Sequence, residues 1–129
     1  MRRDPDLERQ SLLAVEAYDP HEHPEIDLSS FTGHSARQAS HQVMLLAEAK
    51  LIAADEVTDG DGLSIWWIPM RLTMAGHECL DTIRDEEVWR RTKDGARAVG
   101  SFSLEVLGTL ARGFVREKIR RHTGVEVDL

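Results

Sequence analysis

Apolar side chains recur at helical spacing in five stretches of this chain, and three shorter stretches read as extended. The first helical stretch opens at Asp4-Pro5. Asp4 can cap the free N–H groups, Pro5 suits the first helical position, and Asp6 and Glu8 complement the helix dipole. Leu7, Ala14 and Tyr18 share the predicted inner face, flanked by Leu13 and Val15, and Pro20 ends the helix. His21 to Glu25 is a polar loop. Ile26 to Phe31 alternates apolar and polar as a short half-buried strand, and Thr32-Gly33-His34 turns the chain.

Ser35 is placed to cap a second helix running to about Lys50. Ala36, Ala39, Val43, Leu46, Ala47 and Leu51 fall on one broad stripe of it, and Arg37, Gln38, His41, Leu45 and Glu48 on the opposite side. Beyond Lys50 the pattern becomes extended. Asp59-Gly60-Asp61-Gly62 is a concentrated turn signal, and Leu63 to Ile68 returns as a strand rich in β-formers. Pro69 predicts that this strand ends there or lies at an edge. Trp66 and Trp67 are adjacent on it, so at most one can face outward as a stacking platform, and a place inside the core is the default for an indole.

Thr73 can cap a third helix, carrying Ala75, Leu80 and Ile83 to about Arg84. A fourth covers Asp85 to Ala98 with Val88 and Trp89 as anchors, and Gly100 breaks it. Ser101 or Ser103 caps the last helix, where Leu104, Leu107, Ala111, Phe114 and Val115 recur at helical spacing and Phe102, Leu110 and Ile119 extend the stripe. Gly108 and Gly113 are positions where a partner can approach closely. The chain of 129 residues suits one compact domain. Residues 1–84 form its core, and helices within residues 85–129 pack on it.

A helix, a short strand, a second helix and then a hairpin is the order of a winged-helix domain, in which the helix before the hairpin enters the DNA major groove and the hairpin is the wing. The expected class is therefore α+β and mostly helical, a winged-helix-like domain with a C-terminal helical extension. The usual middle helix has only Ser29 to Ser35 to form in, so it is a single turn or absent. The stretches "MRRDPDLERQ", "HQVMLLAEAKLI", "IPMRLTMAGHECLDTIRDEEVW" and "SFSLEVL" resemble, in order, the signature blocks of domain-of-unknown-function family 2513. That resemblance implies a winged-helix-like fold, frequent association with prophages and no established activity. Lys50 departs from the family pattern, which has glycine there to close the helix in a left-handed turn.

Composition changes the picture in one respect. The net charge of −7 argues against a general polyanion binder. Its distribution is uneven: residues 1–89 hold seven basic against eighteen acidic side chains, whereas residues 90–122 hold nine basic against three acidic. A basic helical segment on an acidic body can meet nucleic acid, pair with a second copy, or be a solvated face. No apolar run reaches the roughly 18 residues of a membrane-spanning helix, and the start carries no apolar signal core. Cys79 is the single cysteine, so no intrachain disulfide can form and a cytoplasmic location is expected.

Catalytic chemistry does not assemble from the residues. His21 and His23 flank Glu22, and His77 and Asp81 lie four apart, but none of these makes a closed ligand set, so no metal and no cofactor are expected. Cys79 sits beside Glu78 with no base to activate it, and neither phosphate-cradling glycine pattern occurs. The expectation is a protein that is not an enzyme.

Two functions stay open. As a DNA-binding transcriptional regulator of phage or prophage origin, the chain would use Arg37, Gln38 and His41 on base edges and Arg71 on phosphate, with Arg2 and Arg3 in support. The alternative is a protein-interaction adaptor with a winged-helix fold and no DNA binding, favoured by the basic last helix and by the carboxylates Asp55, Glu56, Asp59 and Asp61 on the hairpin, which repel phosphates. Double-stranded DNA, another protein and a second copy are the candidate partners. For a homodimer the interface would use Leu104, Leu107, Leu110 and Phe114.

Overall fold

Asp4 opens α1 (Pro5–Ala17) as the sequence predicts, its carboxylate accepting the N–H groups of Asp6 and Leu7. The computed structural model describes residues 3–18 and 33–127. The expected Pro20 stop, the polar loop, the Ile26 to Phe31 strand, the single-turn helix before Ser35 and the pair His21 and His23 lie outside the described residues. The inner face of α1 differs from the predicted one: Leu7, Glu8, Ser11, Leu12 and Val15 are buried, while Leu13, Ala14 and Tyr18 are half-buried. The true stripe runs at four-residue steps through Leu7, Ser11 and Val15, with Glu8 and Leu12 beside it. Two polar residues on that stripe disguised it. Glu8 is only 6% exposed and tolerates burial because Arg3 grips it with two hydrogen bonds, at 2.8 and 3.1 Å.

Helix α2 (Ala36–Glu48) starts at Ser35 in a reciprocal capping box with Gln38. Ala39, Gln42, Val43 and Leu46 are buried; Ala36 is exposed and Ala47 half-buried. The helix closes through Lys50, which takes the left-handed conformation at φ +65° although it is not glycine. The Lys50 N–H reaches the Ala47 carbonyl at 3.0 Å and the Leu51 N–H reaches Leu46 at 2.9 Å, the paired bonds of a Schellman termination. The left-handed exit survives the departure from glycine.

Strands β1 (Ile52–Thr58) and β2 (Ile65–Leu72) pair antiparallel. Asp59 and Asp61 hold the turn: the Asp59 carboxylate accepts the Gly60 N–H, the Asp61 carboxylate accepts the Leu63 N–H, each at 2.8 Å, and Gly62 sits at φ +72°. β2 continues past Pro69 to Leu72. It can because the register shifts there: Ala54 pairs with Pro69 and Ala53 with Arg71, leaving Met70 as a bulge residue without a partner. Before the bulge, Trp67 and Pro69 share one face; after it, Leu72 opposite Ile52 turns inward and both are buried. One extra residue thus converts an exposed position into a core position.

Helix α3 (Met74–Ile83) begins at Thr73, whose hydroxyl oxygen accepts the Gly76 N–H at 3.0 Å. A Cβ on Gly76 would overlap the Leu51 carbonyl oxygen, so glycine is what lets this helix close on the base of the hairpin.

The chain divides into two compact units, residues 1–80 and 81–129. In the first, α1 and α2 pack on each other and on β2, and α2 also meets β1. Leu7, Leu12, Val43, Leu46, Ile52, Leu72 and Leu80 are among the buried side chains that form its core. Each contributes about 1.5–3 kcal/mol of transfer free energy. In the second, α4 (Glu86–Val99) packs on α5 (Leu104–Thr123). Asp85 caps α4, Gly100 ends it at φ +78°, and Ser103 caps α5. Val88, Trp89, Thr92, Ala96, Leu107 and Ala111 are buried. The close approach is made by Gly95 rather than by Gly108 or Gly113: a Cβ on Gly95 would stand 3.2 Å from a Leu110 methyl, and one on Gly113 would meet nothing. The fold is α+β and mostly helical, with the helix-then-hairpin order of a winged helix.

Candidate interaction surface

The Trp67 N–H donates to the Ser40 hydroxyl at 2.9 Å, which ties α2 to β2. Both adjacent indoles border the groove beside the helix although they point to opposite faces. Neither is fully buried; the buried tryptophan is Trp89. Between helix and strand runs a groove of about 410 Å³, with Arg37, Ser40, His41 and Met44 contributed by α2. Ile65, Trp66 and Trp67 come from β2, and Glu56 from β1.

Arg37 is exposed, with its guanidinium carbon 5.6 Å from the Trp66 ring centre, a cation–π contact. The same indole donates to the Asp59 carboxylate at 3.5 Å. Arg37 is thus linked through one ring to an acid of the hairpin turn, and Glu56 borders the same groove. Gln38 is exposed, but its side-chain oxygen serves the Ser35 cap. His41 is half-buried and borders both this groove and a second cavity beside α1. Arg71 is exposed, borders neither, and donates to the Leu72 carbonyl at 3.1 Å. The structure therefore brings Arg37 and His41 together, engages Gln38 in a cap and leaves Arg71 apart.

One face of the hairpin carries exposed apolar side chains. Val57 pairs with Trp66 and Asp55 with Ile68, so Val57, Trp66 and Ile68 share a face with Asp55. Val57 and Ile68 are exposed, as are Met70 at the bulge and Leu63 beside the turn, the last 85% accessible. Asp55, Glu56, Asp59 and Asp61 are exposed around them, and between residues 51 and 72 the only basic side chain is Arg71. Four exposed apolar side chains thus gather on one element. Periodicity alone could not find this face, because a strand of Ile, Trp and Trp reads as core.

The four apolar candidates on α5 are placed differently from one another. Leu104 is exposed, Leu107 is buried, Leu110 meets Gly95, and the Phe114 ring lies 5.9 Å from the Arg91 guanidinium carbon. Several basic side chains of this unit are met within it: Lys118 reaches Asp85 at 2.7 Å, Arg121 reaches Glu87 at 3.7 Å and Arg91 reaches Glu117 at 3.6 Å. The Lys118 hydrogen bond, helped by the Val88 N–H, holds the Asp85 carboxyl below its ordinary pKa.

Burial, and secondarily the Glu8 carboxylate, pushes the Cys79 thiol above its ordinary pKa, which keeps it protonated and a poor nucleophile. Among the described residues no three His, Cys, Asp or Glu side chains come together as a metal site, and no helix is long and apolar enough to cross a membrane.

The family model described as "Hypothetical protein (DUF2513)" matches residues 2–103. An uncharacterized protein of Haemophilus influenzae is 29% identical over 120 residues, covering 92% of this chain and 99% of that protein. No solved structure matches the chain.

Proposed function

The chain belongs to the DUF2513 family, and from that premise and the surface just described we propose that it is a non-enzymatic protein-interaction module. Its hairpin is the docking element. The observation that carries this reading is the exposure of Val57 and Ile68 on one face of the hairpin and of Met70 at its bulge, with Asp55 among them and Asp59 and Asp61 at the turn. A wing that grips DNA needs cations for phosphates, because counterion release supplies most of the affinity. This one presents carboxylates around an apolar centre. The complementary partner is a protein surface with an apolar centre and a basic rim.

DNA binding is the rival reading, favoured by Arg37 on the exposed side of α2. Electrophoretic mobility of random-sequence duplex DNA at low ionic strength separates the two, since low salt maximises phosphate attraction. No shift is expected with the wild-type protein. A salt-sensitive shift lost in Arg37→Ala would overturn the docking reading in favour of DNA.

A further inference from the structure

The two edges of the hairpin are not alike. Backbone groups of an antiparallel pair point alternately toward the partner strand and away from it. The Asp59 N–H donates to the Ser64 carbonyl at 2.7 Å, which sets the phase of that alternation. Val57 and Asp55 therefore address β2, whereas Thr58, Glu56 and Ala54 turn their N–H and C=O groups outward. No described residue hydrogen-bonds to the N–H groups of these three. Residues 55–58 are all exposed. Opposite Thr58, Glu56 and Ala54 on β2 stand Ile65, Trp67 and Pro69. There the Ser40 hydroxyl takes the Trp67 N–H at 2.9 Å, and Pro69 has no N–H to offer. The edge of β2 is largely closed to pairing and that of β1 is open.

An unpaired row of backbone groups on an exposed strand is a template for one more strand. The side chains of β1 select which strand it takes. An added strand lies beside Asp55 and Val57 on one face and beside Glu56 and Thr58 on the other. Lysine or arginine fits beside the two acids, and an apolar residue fits beside Val57, which is 44% exposed. A second copy of this chain does not fit. Edge to edge, it would set the acids Asp55, Glu56, Asp59 and Asp61 against themselves, and like charges across strands destabilise a pair.

We propose that β1 is extended by a strand of a partner protein, a segment with basic side chains beside Asp55 and Glu56 and an apolar one beside Val57. This rests on the docking reading above and says how the partner is held. Backbone hydrogen bonds to Glu56 and Thr58 supply the pairing, and the two acids choose the sequence.

Thr58→Pro tests this, because it deletes one outward N–H and no hydrogen bond between β1 and β2. Thr58→Val keeps the N–H and loses only the hydroxyl. Docking is read in the native cell as the protein adduct of a benzophenone amino acid placed at Ile68. Thr58→Pro should reduce that adduct at least about tenfold, through the lost hydrogen bond and the clash of the ring with the incoming strand. Thr58→Val should leave it unchanged. An adduct undiminished in Thr58→Pro, or lost equally in Thr58→Val, overturns the strand addition while docking stands. No adduct without either substitution overturns docking itself and the strand addition with it. Should Thr58→Pro fail to fold, amide hydrogen exchange of the wild-type protein decides, with the acetylated, amidated peptide Thr-Val-Lys-Lys-Val-Thr as probe. Paired antiparallel, it sets its lysines beside Glu56 and Asp55 and a valine beside Val57. Exchange should slow about tenfold or more at Glu56 and Thr58 and stay unchanged at Asp55 and Val57, which are already in the ladder. Glutamate in place of both lysines should remove the protection. Protection that is absent, or equal with the two peptides, overturns the proposal.

Discussion

The Thr73 hydroxyl donates a 2.6 Å hydrogen bond to the carbonyl oxygen of Lys50, the residue held left-handed at the end of α2. The Thr73 N–H also donates to the Leu51 carbonyl at 3.0 Å. The residues just before β1 and just after β2 are thereby tied together, and the hairpin is closed at its base as well as at its turn. Its exposed face is carried by an element anchored at both ends.

Lys50→Gly should stabilise the protein. A residue with a Cβ in the left-handed region costs about 1 kcal/mol relative to glycine. The Lys50 side chain is exposed, so little packing is lost. Urea denaturation should show a higher midpoint with an unchanged slope. A lower midpoint would mean that the lysine side chain contributes something the backbone geometry does not reveal.

Gly76→Ala should do the opposite, and more severely. The added methyl would overlap the Leu51 carbonyl, and backbone on both sides must move to admit it. A loss of about 3 kcal/mol is expected, at the upper end of overpacking effects. The same denaturation experiment measures it. A loss near zero would show that α3 approaches the hairpin base less closely than the structure has it.

Much of this architecture was legible from residues whose meaning is local. Asp4-Pro5, Ser35, Ser103 and the Asp59 to Gly62 turn each act on N–H groups within a few positions, so their roles can be read without knowing the rest of the fold. What could not be read depends on distant residues. Glu8 looks like a surface acid until Arg3 is seen to neutralise it. Gln42 looks like one more polar residue of α2, yet it is buried. β2 does lie at an edge as Pro69 predicts, since among the described residues it pairs with β1 alone, but the Met70 bulge is a property of pairing rather than of composition. The candidate site was legible in part: Arg37 and His41 were singled out and do share a groove, while Gln38 is engaged in a cap that its spacing from Ser35 could have announced.

Arg37→Ala and Val43→Asp should separate surface from core on the same helix. Arg37 is exposed and its contact with Trp66 is at the surface, so its loss should cost about 0.5–1 kcal/mol. Val43 has no exposed surface, and an unpaired carboxylate there should unfold the first unit. Circular dichroism melts of both variants provide the check. A folded Val43→Asp protein would contradict the core described for α2.

Asp85 gives the second unit a pH dependence of definite sign. Its pKa is depressed in the folded state by Lys118 first and the Val88 N–H next. A depressed carboxylate contributes stability that is present above its unfolded pKa, about 3.9, and lost as pH falls through the lower folded value. Asp85→Asn should therefore lower the melting temperature at neutral pH, and the difference from wild type should shrink in acid below the ordinary carboxylate range. A difference that stays constant in acid would assign the effect to capping geometry rather than to charge.

Site-specific photocrosslinking tests the docking role of the hairpin most directly. A benzophenone amino acid placed at Ile68, on the exposed face, is compared with one at Ala98, exposed on α4. Irradiation in the native cell should give a discrete heterologous protein adduct from position 68 and none from position 98. Changing Asp55 and Glu56 to lysine should abolish that adduct, because the partner's rim is expected to be basic. An adduct pattern identical at the two positions, no protein adduct at position 68, or an adduct indifferent to the reversed charges would contradict a docking role for this face.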